Sequence, residues 1–179
     1  MNLKNSKLDS VSPYVMLGSL KNQSEKVVLV NVLSEKIPFL INSKESINNR
    51  SITKEQFEKM LEENNNKIPE DISLVILYCA SWSCGAAHNY YDSLLQRNIN
   101  ANNIVDYKGA LHEWAMYSMI MPSLFTMTNL STNSDATNEE LLELSKGTLH
   151  TYLLKDEKKS SNNSLVTYSS EGEAILNTI

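Results

Sequence analysis

The chain has 179 residues, 41% of them hydrophobic, and carries a formal net charge of −5. That length buries the core of one domain with residues to spare, and a mildly acidic balance with no stripe of Lys and Arg excludes a nucleic-acid-binding surface. No apolar run reaches membrane-spanning length, and the opening Met-Asn-Leu-Lys-Asn-Ser-Lys has no apolar signal core, so a cytoplasmic protein without membrane contact is expected.

In chain order, Val27–Val32 is rich in β-branched residues and predicts a strand. Thr53-Lys54-Glu55-Gln56 is a capping box that opens a helix running to about Asn64. A turn at Ile68–Asp71 leads into Leu74–Tyr78, a continuous apolar run whose length suits a strand covered on both faces in a parallel sheet. After the loop Cys79–Cys84, the residues Ala87, Tyr90, Tyr91, Leu94 and Leu95 fall at helical spacing and predict a helix over Ala86–Gln96. Arg97-Asn98 stops it, and Ile104–Tyr107 reads as another short strand. Alternating strands and helices give an α/β domain over residues 10–125, with a central, mainly parallel sheet flanked by helices.

Beyond Phe125 the composition turns to Ser, Thr and Asn, which marks residues 126–138 as a linker. Thr137-Asn138-Glu139-Glu140 is a second capping box, and Leu141, Leu142, Leu144, Leu149, Tyr152 and Leu153 predict a C-terminal helix over 138–155. That helix either packs back on the domain or docks a protein partner. Residues 158–179 are polar and read as a flexible tail.

The two cysteines, Cys79 and Cys84, share one predicted loop, which is no secreted disulfide framework. Cys79 falls where ligands bind in parallel sheets, at the carboxyl end of a strand. There it also faces the unpaired N–H groups and the positive end of the next helix, which favour thiolate and lower a thiol's pKa. Cys79 is therefore the candidate nucleophile, and Ala80, Ser81, Trp82, Ser83 and Gly85 form the candidate substrate-binding loop. Cys84 is either neutral loop filler or a second thiol that attacks whatever Cys79 carries. His88, one turn later, either tunes Cys84 or is a half-exposed helix residue. Cys79, Cys84 and His88 lack structural zinc-ligand spacing, so neither a metal nor a cofactor is expected. Trp82 belongs at a pocket rim, because so short a loop has no interior for an indole.

These features together resemble the rhodanese-like sulfurtransferase family. Tyr78-Cys79 matches the family's strand-end pair, Gly85-Ala86-Ala87 its small-residue helix start, and Tyr107–Trp114 its Gly-Gly…Trp element. Upstream, Val28–Val32 resembles the "Leu-Ile-Asp-Val-Arg" strand, and the segment from Ser46-Ile47-Asn48 to Phe57 resembles "Gly-Ser-Ile-Asn-Ile-Pro…Phe". The departures are Asn31 for Asp, Ala110 for the second Gly, and Cys84 at a loop position where many members carry Arg. The resemblance implies that Cys79 takes a sulfane sulfur from a donor such as thiosulfate or a persulfide. It would hold that sulfur as a persulfide among loop N–H groups and pass it to a thiol or cyanide acceptor. It also implies that Trp114 is a core residue. A two-cysteine thiol-disulfide or arsenate-type reductase is the first alternative. A non-catalytic rhodanese-like interaction module is the second, although such modules commonly lose the loop cysteine. Related cysteine phosphatases need an Arg where this chain has Gly85, so the fork that grips phosphate is missing.

Overall fold

Aliphatic strands with no exposed face form the middle of the domain. In the computed structural model, which describes residues 8–21, 26–46, 51–146, 165–168 and 174–177, β1 (Val27–Asn31) lies between β3 (Ser51–Thr53) and β4 (Leu74–Tyr78). With β5 (Ile104–Tyr107) the order is β3-β1-β4-β5, and every pair is parallel. An isolated parallel bridge between Ser10 and Asp106 adds the N-terminal segment to the β5 edge. Every residue of β1 is buried, as is all of β4 after Leu74, which for β4 is the two-sided cover that its unbroken apolar run suggests.

Alternation along the strands divides the core in two. Leu29, Ile76 and Tyr78 pack with Leu17 and Leu20 of α1 (Pro13–Lys21) and Leu111 and Trp114 of α4 (Ala110–Ile120). Val30, Val75 and Leu77 pack on the opposite face with Phe57 and Leu61 of α2 (Lys54–Glu63) and Tyr90 and Leu94 of α3 (Ala86–Gln96). The helix α2 starts at the expected capping box: the Gln56 N–H donates to Thr53 Oγ1 at 3.2 Å, and the Thr53 N–H donates to Gln56 Oε1 at 2.9 Å. Among the described residues no helix is long and apolar enough to cross a membrane.

The stretch 126–138 is not a linker throughout. Thr126–Asn129 forms β6, which pairs antiparallel with β2 (Phe39–Asn42) on one side and with β7 (Ser134–Asp135) on the other. Met127 and Asn129 are buried while Thr126 and Thr128 are half-buried, so the polar composition belongs to a strand with one covered face. The second capping box does open a helix, α5 (Asn138–Ser145), whose Leu141 and Leu144 join the core beside α4. That face is used within the domain. Residues 147–155 of the expected helix lie outside the described residues. Within the expected tail, β8 (Leu165–Tyr168) and β9 (Ala174–Asn177) pair antiparallel, and the rest lies outside the described residues.

Asn31 ends β1 fully buried and fully engaged. Its Nδ2 donates to the carbonyls of Ile37 at 3.0 Å and Phe39 at 2.8 Å, and its Oδ1 accepts the Leu33 N–H at 2.9 Å. These three bonds turn the chain from β1 toward β2.

Candidate active site

The cysteine loop hangs from a fixed point. Tyr78, the last residue of β4, is fully buried, and its hydroxyl accepts the Ile41 N–H at 3.2 Å and lies 2.9 Å from Ser51 Oγ. Cys79 follows directly. The first-turn N–H groups of α4 then clamp the loop: Leu111 donates to the Cys79 carbonyl at 3.1 Å and His112 to the Ala80 carbonyl at 3.0 Å. The N-cap of α4, Gly109, supplies no side-chain cap, so these loop carbonyls satisfy donors that the helix end leaves free. Ala110 opens α4 at φ 55°, a left-handed conformation that costs an L residue about 1–2 kcal/mol. It stands where the resembled pattern has its second glycine.

Within the loop, the Cys84 N–H donates to the Ser81 carbonyl at 3.0 Å, closing a turn that places Trp82 and Ser83 outermost. Trp82 is 65% exposed, as its expected rim position requires, and Gly85 is exposed, whereas Ala80 is buried and Ser81 half-buried. The turn also folds Cys84 back onto Cys79. Cys79 Sγ lies 3.4 Å from the Cys84 carbonyl oxygen and 3.8 Å from that of Ser81. Both thiols are free. Gly85, the N-cap of α3, provides no side-chain cap either, and the first N–H groups of that helix serve the sulfurs: Ala86 faces Cys84 and Ala87 faces Cys79. Ala80 N–H also supports Cys84, and Ser81 N–H supports Cys79.

The helix end is where the sequence puts it, but the surroundings favour the thiolate at Cys84 rather than at Cys79. The hydrogen bond with Cys84, together with burial that leaves Cys79 3% exposed, pushes the Cys79 thiol up rather than down. Cys84 is lowered to about 6, first by the hydrogen bond from Cys79 and then by the Ala86 and Ala80 N–H groups, against the opposing effects of burial and the Asp106 carboxylate. Of the two thiols, Cys84 is the one whose surroundings favour the thiolate, and it is also the less buried.

His88 does not join the pair. It is exposed, with Nε2 3.7 Å from Asp92 Oδ2 one turn along α3. Asp106 is the group that sequence reasoning missed. It is 8% exposed, and burial raises its carboxyl pKa against the opposing charges of Lys108 and His88. The available signal was a lone acid inside the apolar strand Ile104–Tyr107, at an inward-facing position. No described Lys or Arg lies in the loop, and the Arg97 guanidinium is committed to both oxygens of Glu58 at 2.9 and 2.7 Å. Beside the loop lies a groove of about 570 Å³, bounded by Trp82, Tyr107, His112, Glu113, Met116 and Tyr117; the two cysteines are not part of its lining. Among the described residues no group of three or more His, Cys, Asp or Glu is placed to hold a metal ion.

No known protein-family model, no curated protein and no solved structure matches the chain.

Proposed function

We propose that the chain is a cytosolic sulfurtransferase of rhodanese-like type, which moves a sulfane sulfur from a persulfide or thiosulfate donor to a thiol or cyanide acceptor as a persulfide on the Cys79–Cys84 loop. The observation that carries this reading is the pair of free thiols on one loop at the carboxyl end of β4, with Cys79 buried, the Cys84 turn folded back over it, and backbone N–H groups from the loop and from α3 turned to both sulfurs. Such N–H groups stabilise a thiolate or a persulfide anion without a cation. Two unpaired thiols at a reactive site also suit a reducing compartment.

The two free thiols on one short loop, with the Cys84 carbonyl turned back to 3.4 Å from Cys79 Sγ, favour thiol-disulfide chemistry as the second reading.

The donor test follows from charge. Thiosulfate is a dianion, the loop offers it no Lys or Arg, and the Asp106 carboxylate lies on the same side of the sheet. The missing charge-assisted bond is worth about 1.5–3 kcal/mol, so kcat/KM with thiosulfate should fall at least about tenfold below that with a low-molecular-weight persulfide. Steady-state thiocyanate formation with both donors measures the ratio. Equal efficiency would show that a cation reaches the sulfurs, and no thiocyanate from either donor would remove the sulfurtransferase reading.

A further inference from the structure

The two cysteines are unequal in a way that the sequence does not reveal. Cys79 is closed in by β4, α3 and its own loop, and the α4 clamp fixes its carbonyl. Cys84 stands at the open side, followed by exposed Gly85 and preceded by exposed Trp82 and Ser83. A donor must approach the attacking sulfur along the axis of the bond that breaks, and only Cys84 has surface on which that approach can end. Resting on the sulfur-transfer reading above, we propose that Cys84 is the sulfur that attacks the donor and that Cys79 is the buried second thiol that displaces the sulfane sulfur when no acceptor is present.

The steps balance without any further reactant. The Cys84 thiolate attacks the outer sulfur of a donor persulfide; the Cys84–sulfur bond forms, the donor's S–S bond breaks, and the donor leaves as its thiolate. An acceptor thiolate then takes the outer sulfur and restores the Cys84 thiolate. Without an acceptor, the Cys79 sulfur attacks Cys84 Sγ and forms a Cys79–Cys84 disulfide. The bond from Cys84 to the sulfane sulfur breaks, and that sulfur leaves as hydrogen sulfide with its own proton and the proton of the Cys79 thiol. The two cysteine sulfurs lose the two electrons that the sulfane sulfur gains, and a dithiol reductant returns the pair to thiols. The lowered pKa of Cys84 agrees with this order, since it keeps the open sulfur nucleophilic near neutral pH.

Glutathione persulfide, followed by an alkylating quench and mass spectrometry, tests the order. In the wild type, uptake of one sulfur should give way to a protein two hydrogens lighter than its reduced form, with one hydrogen sulfide released. Cys79→Ser should take up one sulfur and keep it, because no second thiol remains to displace it. Cys84→Ser should load at least about tenfold more slowly. The order is overturned if Cys84→Ser loads as fast as the wild type, or if Cys79→Ser takes up no sulfur while the wild type does. A second measurement uses the unmodified protein: limiting iodoacetamide should label Cys84 before Cys79, and labelling of Cys79 first contradicts the assignment. If none of the three proteins takes up sulfur while Cys84 still labels first, it is the sulfur-transfer reading that fails, and the greater reactivity of Cys84 stands.

Discussion

Trp114→Ala should lose about 3–5 kcal/mol of stability, a large share of the roughly 5–15 kcal/mol that holds a domain folded. The indole is fully buried, packs edge-on to Phe125 at 4.8 Å and Tyr107 at 6.0 Å, and donates from Nε1 to the carbonyls of Asn42 at 3.1 Å and Thr126 at 2.9 Å. It therefore joins α4 to the β2–β6 pair. The same helix holds the cysteine loop through Leu111 and His112, so the loop should loosen with it. Denaturant unfolding measures the loss, and Trp114→Phe, which keeps most of the packing but not the N–H, should fall between the two. A Trp114→Ala protein within about 1 kcal/mol of wild type would contradict the role given to this residue.

Asn31→Asp should be the other severe change, although it restores the residue that the resembled strand usually carries. A carboxylate cannot donate to the Ile37 and Phe39 carbonyls, and it would be buried against them with only the Leu33 N–H in support. An uncompensated buried charge of this kind costs about 3–5 kcal/mol near neutral pH. The folded-state pKa of the new acid would be raised above its unfolded value of about 3.9. The penalty is thus absent below the unfolded pKa, develops as pH rises through the folded pKa, and is complete above it. Unfolding curves of the variant and the wild type should converge on acidification. A constant gap across pH would mean that packing rather than charge is at fault, and no gap near neutral pH would mean that the two carbonyls do not need a donor.

The parts of the fold that the sequence displayed were those with local signals. The β4 strand showed as an unbroken apolar run, α3 as an amphipathic repeat, and α2 and α5 through capping boxes at Thr53 and Thr137 that both form. The strands β2 and β6 did not show, because Thr126–Asn129 is a strand only by virtue of a partner more than eighty residues away in the chain. The helix α1 escaped for a different reason: Pro13 at its first position is a start signal, but the polar and apolar residues that follow separate poorly into faces. At the site, the loop's position was legible and its electrostatics were not. Local spacing puts both thiols near a helix start. Which one keeps its proton depends on how the Cys84 turn folds back, on the depth of Cys79, and on a carboxyl from β5, and none of these is a local property.

The most direct test of a sulfur-carrying loop is the mass of the intact protein, alkylated soon after exposure to a low-molecular-weight persulfide without acceptor. The account predicts a species heavier by one sulfur, absent from the Cys79→Ser/Cys84→Ser double variant, and cyanide added before the alkylation should remove that sulfur, with one thiocyanate formed per chain. An unchanged mass at every donor concentration, with neither thiocyanate nor sulfide released, would contradict it.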